Sequence, residues 1–132
     1  MSAEHDLSGK PKLLVVDDDP MTCRLIKLQL EMEGYPCETL SDPEGILEVI
    51  DQAAPDLALV DFHLGIQGGL DLLQVIRNSE AHKHLPVMLM SATDYERECR
   101  QAGADGFILK PFNWQDITRA IDDILARHHQ MN

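Results

Sequence analysis

The sequence predicts an α/β domain, a five-stranded parallel sheet with helices on both faces. Short apolar runs rich in branched residues, such as Leu13-Leu14-Val15-Val16 and Pro86-Val87-Met88-Leu89-Met90, alternate with segments of helical periodicity. Parallel strands need crossover connections of one hand, and this alternation supplies them. Three of the runs also end in charged residues, at Asp17-Asp18, Asp61 and Lys110. In an open parallel sheet the carboxyl ends of the strands converge on one crevice, so residues far apart in sequence can form one site.

Each element follows from local signals. Leu13 to Val16 is a short apolar strand, and Asp19-Pro20 follows as an N-cap with proline at the first helical position. In that helix Met21, Leu25, Leu28 and Met32 recur at steps of four, three and four and line one apolar face; Gly34 suits a left-handed terminus, so the helix ends near Glu33. Cys37 to Leu40 reads as a weak strand. Ser41-Asp42-Pro43-Glu44 has capping-box spacing and opens a second helix running to about Ala53, which Pro55 breaks. Asp56-Leu57-Ala58-Leu59-Val60-Asp61 is too continuously apolar in its middle for a strand with one wet face, which makes it central.

Gly65, Gly68 and Gly69 free the next loop, and Leu70, Leu73 and Ile76 mark a third helix. Pro86 to Ser91 is a fourth buried strand, and Thr93 or Asp94 can cap a short fourth helix ending at Gly103. Residues 106–110 form the fifth strand. Asn113 caps a last helix in which Ile117, Ile121, Ile124 and His128 share a face with Ala120 and Leu125. Spacing alone does not give the order of the strands.

The 132 residues suit one compact domain, read as residues 12–129 behind a loose polar lead-in over 1–11. No apolar stretch approaches the roughly 20 residues that span a bilayer, and the start lacks the pattern of a secretory signal. Cys23, Cys37 and Cys99 are odd in number and lack metal-ligand spacing, which fits packed thiols in a reducing cytoplasm. Eleven Lys and Arg against 23 Asp and Glu leave a net charge of −12, which disfavours direct binding to nucleic acid. The pairs His82/His84 and His128/His129 read as solvated surface and are assigned no metal.

Asp17, Asp18 and Asp61, brought within a few ångströms, repel by about 4 kcal/mol per close pair at an effective dielectric near 20. A hard divalent cation such as Mg²⁺ offsets this, since it prefers oxygen ligands and binds through one or two carboxylates plus a phosphate. Lys110 adds a second positive charge, and the hydroxyl of Ser91 at a strand end suits a phosphoryl oxygen. Asp19 is left as a cap.

Taken in order, Val15-Val16-Asp17-Asp18-Asp19, Leu59-Val60-Asp61, Ser91-Ala92 and Ala102-Gly103-Ala104-Asp105-Gly106-Phe107 running into Lys110-Pro111-Phe112 resemble the receiver domain of two-component response regulators, of the single-domain, chemotaxis-regulator-like kind. The resemblance covers about residues 12 to 127. It implies a flavodoxin-like (βα)5 fold in a cytoplasmic, non-enzymatic signalling protein. Asp61 is then the phosphoacceptor, taking a phosphoryl group from a phosphohistidine on a histidine kinase or phosphotransfer protein. Asp18, Asp61 and the His63 backbone carbonyl hold Mg²⁺, with Asp17 binding it directly or through water; Lys110 and Ser91 hold phosphoryl oxygens. Ser91 and Phe107 form the switch, read through the fourth helix, fifth strand and fifth helix by a downstream protein or by an output domain outside these residues. A phosphorylation-linked homodimer through that face is left open.

The sequence departs from the family where Gly65 stands in place of the usual proline, which implies a more mobile loop after Asp61. Ser91 replaces the commoner threonine. His63 and Thr93 fall where the family flanks the route of attacking water, and the Lys110-Pro111 bond is commonly cis in such domains. Two further readings compete. Asp17-x-Asp19 superficially resembles haloacid-dehalogenase phosphatases, with Asp17 as nucleophile, although Met21 stands where that family has threonine or valine. An interaction module without phosphorylation is the other. A nucleotide-binding fold is set aside, because both the glycine-rich turn and a P-loop lysine are missing.

Overall fold

A computed structural model describes residues 9–66 and 68–131, so most of the expected lead-in, residues 1–8, lies outside the described residues. Strands and helices alternate as β1 (Leu13–Val16), α1 (Pro20–Met32), β2 (Cys37–Leu40), α2 (Ile46–Ala53), β3 (Leu57–Asp61), α3 (Gly69–Arg77), β4 (Val87–Ser91), α4 (Glu96–Gln101), β5 (Gly106–Leu109) and α5 (Trp114–Met131). The strands form one parallel sheet in the order β2-β1-β3-β4-β5. The chain therefore steps outward from β1 to β2 and then crosses back to β3 on the other side. At that reversal the loops after β1 and β3 part and leave a crevice at the carboxyl edge.

The alternation of side chains along each strand feeds two cores. Leu13, Val15, Leu59 and Met88 face α1 and α5, where they meet Ile26, Leu30, Ile117 and Ile121. Leu14, Val16, Val60 and Leu89 face the other helices, where they meet Ile50, Leu72, Leu73, Ile76 and Cys99. β1, β3 and β4 are buried at every residue, as the unbroken apolar runs require. All three cysteines are buried and unpaired.

The expected caps at Asp19 and Asn113 are present. Asp19 Oδ1 accepts from the Met21 N–H at 3.1 Å and Asn113 Oδ1 from the Asp116 N–H at 2.9 Å, whereas Asp94 Oδ1 takes the Glu96 N–H at 3.1 Å in a turn ahead of α4, whose N-cap is Tyr95 with no side-chain cap bond. Thr93 does not cap; its own N–H donates to Ser91 Oγ at 3.1 Å.

Two further expectations are corrected. The Ser41–Glu44 capping box does not form. Asp42 Oδ1 instead accepts from the Glu44 N–H in a turn, Gly45 follows at φ 77°, and α2 begins at Ile46. Asparagine and aspartate close such turns on their own backbone, which competes with helix entry. On α1 the stripe Met21, Leu25, Leu28, Met32 does lie on one face, but that face points outward, and the sheet takes up Cys23, Ile26 and Leu30 instead.

Sequence reading also passed over Arg77. Its guanidinium donates to the carbonyls of Gly103, Lys83 and Leu85 and to Asp105 Oδ2, and Asp105 Oδ2 in turn accepts from the Val87 N–H. One side chain thus pins the loop before β4 to the loop before β5. His82, read as solvated, is half-buried and pairs with Asp51 Oδ1 at 2.5 Å.

Candidate functional site

Adjacent strand ends build the site. Asp17 directly follows β1 and its N–H donates to the Leu40 carbonyl; Asp61 closes β3; Ser91 closes β4; and the Lys110 N–H donates to the Ser91 carbonyl at 2.8 Å. Asp17, Asp61 and Ser91 are 3%, 7% and 1% exposed, whereas Asp18 lies on the surface. Carboxylate oxygens of Asp17, Asp18 and Asp61 lie within 4.8 Å of one another. Lys110 Nζ reaches in from β5, 3.3 Å from Asp61 Oδ1 and 3.8 Å from Asp17 Oδ2.

The electrostatics follow from that crowding. Burial pushes the Asp17 carboxyl above its ordinary value; the neighbouring charges of Asp61 and Asp18 add to this, while the Asp19 N–H on Oδ1 and the Lys110 ammonium work against it. Lys110 supplies one positive charge to three carboxylates, which leaves an excess of negative charge in a partly buried crevice. Oxygen donors in that number and spacing fit a hard divalent cation.

The loop after β3 is built around the same acids. The Gly65 N–H donates to Asp18 Oδ2 at 2.9 Å with Gly65 at φ 51°, and Leu64 beside it is buried. Gly69, the first residue of α3, sits against the acceptor strand: a Cβ there would lie 2.5 Å from the Asp61 carbonyl oxygen and 2.9 Å from Phe62 Cα. Neither Gly65 nor Gly69 stood out in the sequence as more than a freer loop. The helical spacing of Leu70, Leu73 and Ile76 puts Gly69 at the helix entry, and that was the available signal.

His63 is exposed beside Asp61, its ring edge-on to Phe62, and Phe62 stacks on Tyr95 with ring centroids 4.2 Å apart and planes 10° from parallel. Thr93 is exposed across the same mouth. The Ser91 hydroxyl accepts from the Thr93 N–H, which leaves its hydrogen to donate elsewhere. Phe107 is half-buried on β5 against the second core, opposite Leu89. The Lys110-Pro111 bond is cis. Of the residues named from sequence, Asp17, Asp18, Asp61 and Lys110 meet directly, while Ser91 is buried at the end of the neighbouring strand β4 and His63 is exposed two residues past Asp61. Phe107 stands on β5, two strands from Asp61. The histidines His84, His128 and His129 line a cleft with Lys10 and Asp122 on another part of the surface, and among the described residues only the three aspartates bring ligand atoms close enough to share an ion.

The protein is a doubly wound parallel α/β domain with a buried aspartate at the end of its third strand, flanked by two acids and a lysine. The sequence profile described as the response regulator receiver domain matches residues 13–122, and the chain belongs to that family, which serves two-component signal transduction. It is 32% identical over 120 residues to the chemotaxis protein CheY of Pseudomonas aeruginosa, covering 88% of this chain and 97% of that one. It is 34% identical over 121 residues to the transcriptional regulatory protein CpxR of Escherichia coli, covering 89% and 50%. The chain thus spans about half the length of the transcriptional regulators it matches. A CheY-like receiver domain protein from Methanospirillum hungatei superposes with a TM-score of 0.81 at 26% identity, over 93% of this chain and 99% of that one. A receiver domain from Clostridium thermocellum, at 24% identity and a TM-score of 0.81, shares the fold. Among the described residues no helix is long and apolar enough to cross a membrane.

Proposed function

We propose that Asp61 accepts a phosphoryl group from a phosphohistidine on a histidine kinase or phosphotransfer protein. The observation that carries this reading is the contact of Lys110 Nζ with Asp61 Oδ1 at 3.3 Å inside the three-carboxylate cluster. One Asp61 carboxylate oxygen attacks phosphorus, the phosphorus–nitrogen bond of the donor breaks, and the departing imidazole keeps the electron pair and takes its proton from solvent. The protein contributes position and charge, since the transferred group develops negative charge on its peripheral oxygens. Lys110 and the Ser91 hydroxyl donate to those oxygens. Asp17, Asp18 and Asp61, with the His63 backbone carbonyl, hold Mg²⁺, which supplies neutralisation of the phosphoryl charge.

The same reading takes Ser91 and Phe107 as the switch and the face of α4, β5 and α5 as the readout surface, within a receiver unit of residues 12–129. A new dianion beside Ser91 and Lys110 rebalances the hydrogen bonds of the β4–α4 loop, and that face follows. The listener is a downstream protein or an output domain; the −12 charge supports protein contacts over direct nucleic acid contacts. The test is transfer from a radiolabelled histidine phosphotransfer protein. Label passes to the wild type and not to Asp61→Asn. Label retained on Asp61→Asn moves the acceptor to Asp17 and the phosphatase-like reading.

A further inference from the structure

Met21, Leu25, Leu28 and Met32 are 55%, 57%, 56% and 72% exposed, so an apolar stripe runs the length of α1 away from the sheet. Single exposed leucines are ordinary on a protein surface; four apolar side chains in a row on one helix mark a contact face. Among the described residues only Ile66 and Leu109 are comparably exposed large hydrophobics, and neither lies on this helix.

We propose that this face seats a second copy of the chain, with the two α1 helices packed antiparallel about a two-fold axis. Steps of four, three and four are the repeat of a coiled-coil seam, narrower than the stripe of a helix lying on a sheet. Run antiparallel, the seam is complementary to itself: Met21 of one copy opposes Met32 of the other, and Leu25 opposes Leu28, as a two-fold interface requires. Charge points to the same orientation. Arg24 and Glu31, both exposed, each precede a seam residue by one position and so lie on the same flank, where Glu31 Oε2 also takes Lys27 Nζ at 2.9 Å within its own helix. In an antiparallel pair like flanks meet, which brings Arg24 of each copy alongside Glu31 of the other, twice by symmetry. A parallel pair would set that flank against Thr22 and Gln29, which carry no charge.

A seam on one 13-residue helix is small against the roughly 800 Å² per partner of a stable interface, so the association is weak and concentration-dependent. A charge of −12 on each copy opposes it, and added salt strengthens it by screening. The stripe continues into a cleft of about 460 Å³ lined by Leu25, Lys110, Phe112 and Trp114. A copy seated on α1 therefore stands beside the crevice and competes with a protein-sized phosphodonor while sparing a small one. That consequence rests on the proposed role of Asp61; the pairing itself does not.

The test is sedimentation velocity of the full chain over a concentration series, without Mg²⁺ or phosphodonor, for the wild type, Leu25→Glu, Arg24→Glu, the double reversal Arg24→Glu/Glu31→Arg, and Lys83→Glu in the loop between α3 and β4 as a charge-matched control. Thermal melts check that each variant folds. The wild type is expected to self-associate, more so in salt. Leu25→Glu and Arg24→Glu each weaken association by at least roughly tenfold, the double reversal recovers it, and the control leaves it in place. A wild type that stays monomeric, an association that Leu25→Glu leaves untouched, or a double reversal that fails to recover overturns the proposal. A monomeric wild type whose Leu25→Glu variant takes label slowly from a purified histidine phosphotransfer protein, yet normally from acetyl phosphate, assigns the stripe to the donor instead.

Discussion

The backbone N–H of Gly65 donates to Asp18 Oδ2 at 2.9 Å, tying the loop after β3 to the acid after β1 across 47 positions of sequence. Gly65 makes this contact at φ 51°, a conformation proline cannot adopt. Gly65→Pro, although it restores the residue usual in the family, is therefore expected to destabilise this chain by about 2 kcal/mol through the lost hydrogen bond and the incompatible φ. Urea denaturation of the two proteins measures it. An unchanged midpoint would show that the loop refolds around proline at no cost.

Asp17 is the buried acid with too little compensation. Its carboxyl is raised above 3.8, chiefly by burial, so the folded state binds its proton more tightly than the unfolded state does. The sign follows from linkage: stability is greatest below the unfolded value, falls as pH rises through the window up to the raised folded value, and stays reduced at neutral pH. Asp17→Asn keeps an oxygen for the Asp19 N–H and removes the charge. The variant is expected to gain on the order of 1 kcal/mol at neutral pH without Mg²⁺, and to flatten the pH slope. Calorimetry across pH, with and without Mg²⁺, checks both the gain and the accompanying loss of metal-dependent stabilisation.

Gly69→Ala drives a methyl group into the Asp61 carbonyl oxygen and Phe62 Cα. Backbone cannot move aside as a flexible side chain can, so α3 or the end of β3 must shift. A loss of about 3 kcal/mol is expected, together with slower phosphorylation at saturating Mg²⁺. Denaturation and acetyl phosphate kinetics on the same preparations separate the two effects.

Ala54 ends α2 at φ 48° and ψ 55°, the left-handed region that costs a residue with a Cβ. Its side chain lies away from the acidic site. Ala54→Gly is expected to raise stability by about 1 kcal/mol with no change in phosphorylation. A lower melting temperature would count against the strain.

The sheet was legible because its three inner strands, β1, β3 and β4, are buried on both faces and so appear as unbroken apolar runs, and the acids were legible because strand ends converge. Caps that use one side chain and its own backbone, Asp19 and Asn113, could also be read. What escaped depends on neighbours. α1 is apolar on two sides, and periodicity alone picked Met21, Leu25, Leu28 and Met32 although the sheet takes Cys23, Ile26 and Leu30. The start of α2 turned on Asp42 closing a turn ahead of the capping box. Arg77 looks like any helical arginine until the loops before β4 and β5 fold over it. In the site, Asp61 and Lys110 were visible at their strand ends, whereas the Gly65–Asp18 bond and the fit of Gly69 against Asp61 exist only once the crossovers are in place.

Intact mass after incubation with acetyl phosphate and Mg²⁺, for wild type and Asp61→Asn side by side and with a chelator control, tests the role of Asp61 most directly. The wild type is expected to gain one adduct of about 80 Da that is lost in base and without Mg²⁺, while Asp61→Asn gains none. An adduct of the same size on Asp61→Asn, or none on a folded wild type, would contradict the assignment of Asp61 as phosphoacceptor.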